Sequence, residues 1–477
     1  MYKLLLTFRY LRRKLIPVFA LLAVALCTLM VIVVSSVMGG FLDLVRNSGK
    51  TLIGDVLIYG TLSGFPHYTE MISEIEKLPE ARAATPVVIA YGLVKLPGDV
   101  IREVQVHGID GHGQDRVTQF SNTLYWKPER IRDQPDIAAA YGTTDPIALS
   151  LEMKPPWPAA AKLPAMIPGL EVSPYNQRTS DGGYMVTHPM VGTRIILTVL
   201  PVTAKGGVLE PKTQQFVGIN EFMSGLYAVD NARVYIPFEE AQKMMAMEGG
   251  DRVATDTGGQ AKVVGKVPPR CTEIHIRAAE GVPADQLRDA AAAVYDRMAE
   301  KYPDLPPRGY GISIVTWEQR QEKFLKPVEN EKGLMTVLFG IISVVAVVLI
   351  GVMFYMIVME KTRDVGILRA VGASRGGIAS IFLSFGAVIG TLGAGLGTAG
   401  AWAIVHYINE IHQKLGDWFG IVIWDRRVYF FDHIPSRVNW NEVAVIVGVA
   451  IVASLVGAAI PAVKAARVDP IESLRYE

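Results

Sequence analysis

Four stretches of this chain are apolar for long enough to cross a bilayer: 15–40, 333–359, 376–407 and 442–463. A spanning helix needs roughly 20 apolar residues to cover about 30 Å of hydrocarbon, where an unpaired backbone amide finds no water. The 41–332 segment between the first and second stretches is patterned differently. Short alternating or β-rich runs at 55–59, 87–94, 103–109, 194–199, 216–219, 233–236 and 273–276 predict strands. Helical spacing predicts helices over 68–78, 238–247 and 284–301, the last carrying Leu287, Ala291, Val294 and Met298 on one face. The expected fold is a membrane protein of four transmembrane helices with a large α+β domain of two subdomains between the first and second spans. Within that domain, 111–168 is rich in Pro and Ala and reads as a partly irregular insertion. Trp317, Phe324, Leu325 and Val328 fall on one helical face just before the second span. A helix running straight into the membrane is expected there, acting as a stiff lever.

Flanking charge sets the direction of insertion. Lys3, Arg9, Arg12, Arg13 and Lys14 precede the first span; Lys361, Arg363, Arg369 and Arg375 lie between the second and third; Lys464, Arg467 and Arg475 follow the fourth. The positive-inside rule places these three groups in the cytoplasm. The 41–332 domain and the 408–441 loop are then periplasmic, and the 360–375 loop and 464–477 tail are cytoplasmic. A cleaved signal peptide is the alternative for the first span, but its apolar run is long and no clean A-x-A site follows. Ahead of it, Leu4, Leu5, Phe8, Leu11 and Leu15 recur at helical spacing, which predicts an amphipathic interfacial helix over 1–14.

Composition agrees with this picture and removes other classes. Charged residues make up 19% of the chain, below the quarter usual for soluble proteins, and the deficit is concentrated in the apolar blocks. A net charge of +1 gives no basic excess for nucleic acid. Cys27 lies in a span and Cys271 in the outer domain, so that domain must be held by its own core.

Several local patterns invite chemistry. His107, Asp110 and His112 are metal-ligand types, but a strand end running into a glycine turn explains them equally, and no further His/Cys cluster lies nearby. Gly395, Gly397 and Gly400 fit a dinucleotide fingerprint, yet they lie inside a span with no strand before them. Gly386, Gly390, Gly393 and Gly397 are spaced to let helix backbones approach, within the chain or against a second subunit. No phosphate loop occurs; at Gly265-Lys266 the first glycine position holds Gln260 and the hydroxyl position Val267. Any ATP chemistry must therefore sit on another polypeptide. In the 360–375 loop, Thr362 can start a short helix and Gly372 stop it, with Ser374 capping the next span. Ile367, Leu368 and Val371 would form an apolar face beside Asp364 and Arg369, fit to dock on a cytoplasmic partner or simply to bridge two spans.

These residues carry a family resemblance. Met359-Glu-Lys-Thr-Arg-Asp-Val-Gly-Ile-Leu-Arg-Ala-Val-Gly-Ala-Ser374 resembles the signature loop of FtsX/MacB-type ABC transporter permeases. Ile460-Pro-Ala-Val-Lys-Ala-Ala-Arg-Val-Asp-Pro-Ile-Glu-Ser-Leu-Arg475 is similar to that family's tail, placing an FtsX-like permease domain at about 333–471. Val37-Met-Gly-Gly-Phe41, the 216–242 stretch, 317–335 and Val428-Tyr-Phe-Phe-Asp-His-Ile-Pro-Ser436 are similar to the lipoprotein-releasing, LolC/LolE-like branch. The 111–160 region is longer than is typical of that branch, and Gly39-Gly40 stands where Asn-Gly is usual.

The resemblance implies a permease subunit of the bacterial inner membrane, paired with an identical or related permease chain. A cytoplasmic ABC ATPase dimer would hold ATP and Mg, with no cofactor, metal or catalytic residue on this chain. The 362–371 segment would be the coupling helix, with Glu360, Lys361, Asp364, Ile367, Leu368, Arg369, Val371 and Gly372 as the coupling residues. Lipoprotein cargo would enter between the first and second spans and pass to a periplasmic carrier. A MacB-like efflux pump and a signal transducer acting on a cell-wall hydrolase are the rival readings. A membrane enzyme is disfavoured, since no nucleophile–base pattern occurs.

Overall fold

The computed structural model describes residues 15–132, 134–142, 144–157, 160, 162–178, 184–203, 206–255, 261–360, 362–419 and 434–467. The helix expected over 1–14, the end of the tail and most of the 428–436 motif lie outside them. The chain divides into a helical unit, built from residues up to Leu44, Phe324–Trp424 and the stretch from Ile434, and an α+β unit centred on Val45–Lys323.

The principal helices are α1 (Leu15–Ile53), α2 (Tyr68–Glu76), α3 (Gly111–Thr118), α4 (Phe238–Met244) and α5 (Ala284–Lys301). Then come α6 (Glu322–Glu360), α7 (Thr362–Ala370), α8 (Arg375–His406), α9 (Ile408–Phe419) and α10 (Trp440–Ala466). Four stretches within them, Pro17–Leu44, Glu329–Glu360, Arg375–His406 and Trp440–Ala466, are long and apolar enough to cross a membrane. They are the expected spans.

The main sheet has nine strands: β1 (Val56–Tyr59), β2 (Ala81–Lys95), β3 (Ile101–Ile109), β4 (Ala165–Pro168), β5 (Arg194–Val199), β6 (Lys212–Gly218), β7 (Arg233–Pro237), β8 (Glu273–Ala278) and β9 (Ser313–Thr316). Their spatial order is β9-β1-β8-β2-β3-β7-β4-β6-β5. The 15-residue β2 organises it. Its first part pairs with β8 from Ala81 to Val87, and its last part pairs with β3 on one side and with β5 on the other. The β2–β5 pairing closes six strands into a circuit, while β8, β1 and β9 continue outward from the first part of β2, along the same edge that its last part offers to β5.

Strand alternation divides the apolar residues between two faces of this circuit. Val88, Ala90 and Val94 of β2 join Val106, Leu197 and Phe216 in an inner core, into which α4 inserts Ala241 and Met244. Val87, Ile89, Ile109, Ile167 and Tyr235 point the other way and are covered by Phe120, Trp126, Tyr141 and Leu149. Those covering residues belong to the 111–168 stretch, which is more ordered than its composition predicts. It forms α3 and the short helices Pro128–Ile131, Pro135–Tyr141 and Pro146–Glu152. Each of the last three begins with proline, whose fixed φ and missing N–H suit the first helical position. A third core lies where α2 and α5 cover β1 and β8, and it takes Leu287, Ala291, Val294 and Met298 from the expected face of α5.

The lever expectation needs correction. Trp317 lies on a separate helix, Trp317–Arg320, which ends at Gln321 before α6 begins at Glu322. A capping box between Thr316 and Gln319 starts that short helix. Trp317 is buried at its root, where its amide donates to the carbonyl of Asp55, 3.1 Å away. Phe324, Leu325 and Val328 lie beyond the break, on α6. The four residues therefore do not share one continuous helix.

The insertion closes over an unusual group. Glu221 is fully buried, and its carboxylate accepts from Trp126 Nε1 at 2.8 Å, from Met190 N at 3.3 Å and from Asn176 Nδ2 at 3.2 Å. These neutral donors offset only part of the burial, which pushes the carboxyl up to about 7. The folded unit thus binds this proton more tightly than the unfolded chain. The contribution of Glu221 to stability is therefore fully present below pH ~4.5 and is lost as the pH rises through ~7. Glu221→Gln is expected to raise the thermal midpoint of the full-length protein in detergent at pH 8, by up to about 3 kcal/mol of stability, with the gain shrinking toward pH 4.5. Equal midpoints for variant and parent across that range would refute the buried-acid assignment.

Candidate functional site

The α7 helix is held between two spans by specific local chemistry. At its start, Thr362 Oγ1 donates to the carbonyls of Val358 at 3.0 Å and Met359 at 2.8 Å. Thr362 is thus the first helical residue, its hydroxyl bonded back to the last turn of α6, and not an N-cap standing ahead of the helix. The far end follows expectation. Gly372 adopts φ 101°, its amide donates to Arg369 O, and Ala373 N donates to Leu368 O. That pair of bonds is a Schellman stop, which favours glycine at the left-handed position. Ser374 Oγ then accepts from Gly377 N at 3.1 Å and caps α8.

One side of α7 is glued down and the other is bare. Val365 is 4% exposed and packs with Val358, Ile378, Phe382, Ala462 and Ala465. Ile367 is 47% exposed, Val371 is 83% exposed, and Leu368 is half-buried. Asp364 and Arg369 are half-buried beside them, and Glu360 is exposed. Lys361 lies outside the described residues. Sequence reasoning missed Val365, the residue that fixes the helix in place. Its signal was present three residues before Leu368, at helical spacing, but the apolar stripe divides between two faces.

All four spaced glycines of α8 are used within the chain. A Cβ on Gly386 would lie 2.6 Å from Ala458 Cβ, and one on Gly390 2.9 Å from Ser454 Cβ, both on α10. A Cβ on Gly393 would lie 2.8 Å from Val24 Cβ, and one on Gly397 2.9 Å from Thr28 Cβ, both on α1. Ser454 Oγ also donates to the carbonyl of Gly386 at 2.9 Å. Of the two contacts left open above, these positions make the one inside the chain. Of the dinucleotide-like trio, Gly397 and Gly400 face α1 while a Cβ on Gly395 would meet nothing within 4 Å, and all three lie inside one long helix with no strand before them.

A groove of about 410 Å³ opens between α1, α6 and α10. Val31, Val34, Met38, Met335, Phe339 and Val445 give it apolar walls. Its polar end is a three-helix clasp. Lys332 Nζ lies 3.0 Å from Glu442 Oε1, while Ser35 Oγ donates to the other carboxylate oxygen. Nothing in the sequence pattern pairs residues so far apart along the chain.

The metal-like trio disperses. His107 is buried on β3, its ring edge-on to Tyr235, and burial followed by the Arg233 and His275 charges holds its pKa well below the ordinary range. Asp110 accepts from Gly113 N and caps α3, while His112 is exposed. Among the described residues, no group of three His, Cys, Asp or Glu side chains could hold a metal. Lys266 lies on the strand Ala261–Val267, away from any strand-to-helix turn.

Comparison with known proteins gives these features a context. Residues 336–470 match the FtsX-like permease C-terminal domain. The chain is 26% identical over 268 residues to the lipoprotein-releasing system transmembrane protein LolC of Xylella fastidiosa, covering 56% of each protein. It is 31% identical over 163 residues to the macrolide export ATP-binding/permease protein MacB of Hahella chejuensis, covering 33% of this chain and 22% of that protein. The chain thus spans only about half the length of the LolC relative it matches. The solved periplasmic region of MacB from Actinobacillus actinomycetemcomitans aligns with 59% of this chain and 95% of its own, at 9% identity and a TM-score of 0.29, too low to bear on the fold.

The glycine contacts make a direct prediction. Gly397→Leu would drive a side chain into the Ala25 carbonyl and Thr28, whereas a Cβ on Gly395 meets nothing within 4 Å. Gly397→Leu is expected to lower stability in detergent by roughly 1–3 kcal/mol or prevent folding, and Gly395→Leu to leave the melting curve unchanged. Equal sensitivity at the two positions would contradict this packing.

Proposed function

We propose that this chain, an FtsX/MacB-type permease with LolC-like similarity, is the membrane subunit of an ABC transporter powered by a separate ATPase. The observation that carries the reading is α7. Val365 roots it in the bundle, and Ile367, Leu368 and Val371 leave an apolar edge uncovered beside Asp364 and Arg369. A short helix fixed at its back and apolar at its front suits insertion into a groove of a partner. The basic residues Arg363, Arg369, Arg375, Lys464 and Arg467 around the same ends of the spans support a cytoplasmic location. ATP and Mg would be bound by an ABC ATPase dimer, and a second permease chain would complete the membrane assembly.

The cargo we favour is a lipoprotein in the outer leaflet of the inner membrane, to be passed to a periplasmic carrier. The similarity to LolC supports this choice, and the groove between α1, α6 and α10 offers the acyl chains an apolar berth. Each methylene moved into water costs about 0.8 kcal/mol, so extraction requires both an energy source and an apolar receiver. In this scheme, closure of the ATPases pushes α7, the push tilts the spans, and α6 carries the tilt toward the α+β unit. The similarity to MacB favours a second reading, efflux of periplasmic substrates by the same mechanics.

Two measurements test these proposals separately. Leu368→Asp should abolish co-purification of the partner ATPase while membrane insertion stays intact, since a buried hot-spot residue is worth about 2 kcal/mol or more. Undiminished co-purification would remove α7 from the coupling role. Depletion of the protein should strand outer-membrane lipoproteins in the inner membrane. A normal distribution would eliminate lipoprotein release and leave the efflux reading.

A further inference from the structure

The segment after α8 was expected to be a loop, yet Ile408–Phe419 is the 12-residue helix α9. At 3.6 residues per turn, Ile408, Ile411, Leu415, Trp418 and Phe419 fall within about 100° of arc. Glu410, Gln413, Lys414 and Asp417 occupy the opposite face. No residue of α9 is buried, and Trp418 and Phe419 are 77% and 67% exposed. The helix is therefore strongly two-sided; Ile408 and Leu415 are half-buried, and among the described residues nothing buries Ile411, Trp418 or Phe419.

Its position in the chain identifies what covers it. Only Tyr407, the C-cap of α8, separates α9 from a membrane-spanning helix. It thus begins at the depth where hydrocarbon gives way to headgroups. Exposed aromatic residues gather at the same level: Trp402 and Tyr407 at the end of α8, and Trp440 at the start of α10. Tryptophan and tyrosine favour that boundary because their rings are apolar and their N–H or O–H groups seek water.

We infer that α9 lies flat in the headgroup region of the bilayer, with Ile411, Leu415 and Trp418 turned into the acyl chains. Its occupant is the lipid surface itself. The polar face, with Glu410, Lys414 and Asp417, carries no cationic excess. Binding is therefore driven by apolar burial and is indifferent to anionic lipid. The helix acts as a float that fixes the depth of one end of α8, whose other end leads from α7. This conclusion needs the span assignment but not the transport reading.

The test uses the full-length chain in lipid nanodiscs. Single cysteines at 410, 411, 413, 415, 417 and 418, in a Cys27→Ala background, carry a bimane fluorophore; Cys271 is fully buried and stays. Quenching by nitroxide-labelled phosphatidylcholine should be several-fold stronger at 411, 415 and 418 than at 410, 413 and 417. Quenching by aqueous iodide should show the reverse order. The pattern should be the same in pure phosphatidylcholine and with phosphatidylglycerol added. Iodide reaching both faces equally would overturn the inference in favour of a solvated helix. Protection of 411, 415 and 418 from both quenchers would overturn it in favour of a protein partner. Trp418→Asp provides a second reading: removing the anchor should expose a label at 411 to iodide, and an unchanged label would count against the inference.

Discussion

The membrane unit depends on backbone approaching backbone along α8. Apolar side chains gain nothing by leaving lipid for one another, so helices in a bilayer adhere through close packing and a few polar contacts. Gly386 and Gly390 supply that closeness against α10, and Gly393 and Gly397 supply it against α1. The hydroxyl of Ser454 adds a bond to the freed carbonyl of Gly386. The third span is thereby the axis of the bundle, gripped on two sides by its neighbours. The placement of α7 follows from this, because Val365 packs onto residues of α8 and α10 near the end of that axis.

The α+β unit solves a different problem, burying both faces of a sheet in water. Closing six strands through the β2–β5 pairing gives one face an interior. The insertion helices cover much of the other, with Trp126 and Tyr141 on the outward residues of β2, β3 and β7. Covering a sheet this way buries polar groups as well. Glu221 is held by neutral donors alone and keeps an elevated affinity for its proton. The 111–168 stretch is thus part of the core.

Much of this was legible in the residues. The four spans, the helix Ala284–Lys301 with its buried face, and strands such as Arg194–Val199 follow from periodicity, because burial on one side leaves a regular trace. The Gly372 stop and the Ser374 cap are local rules and were equally readable. What stayed hidden depends on partners distant in the chain. Prolines taken as breakers start helices at Pro128, Pro135 and Pro146. Thr362 had the right type for a cap, but its hydroxyl donates back to the carbonyls of Val358 and Met359. The Ser35–Lys332–Glu442 clasp joins three spans with no shared motif.

Adhesion in the bundle is uneven, and the unevenness has a direction. The second span buries the smallest share of itself, and among its described residues the buried ones, Ile350, Phe354 and Val358, lie in the half nearest α7. Its other half shows Leu334, Val337, Ile341 and Val344 outward, and meets the bundle at the half-buried Met335 and Phe339 and at the ion pair of Lys332 with Glu442. Such a member is tethered unevenly, firmly at the end next to α7 and more loosely at the other. Parting this end from its neighbours would cost that charge pair and the half-buried contacts of Met335 and Phe339, whereas parting the other three helices would pull glycine-packed backbones apart.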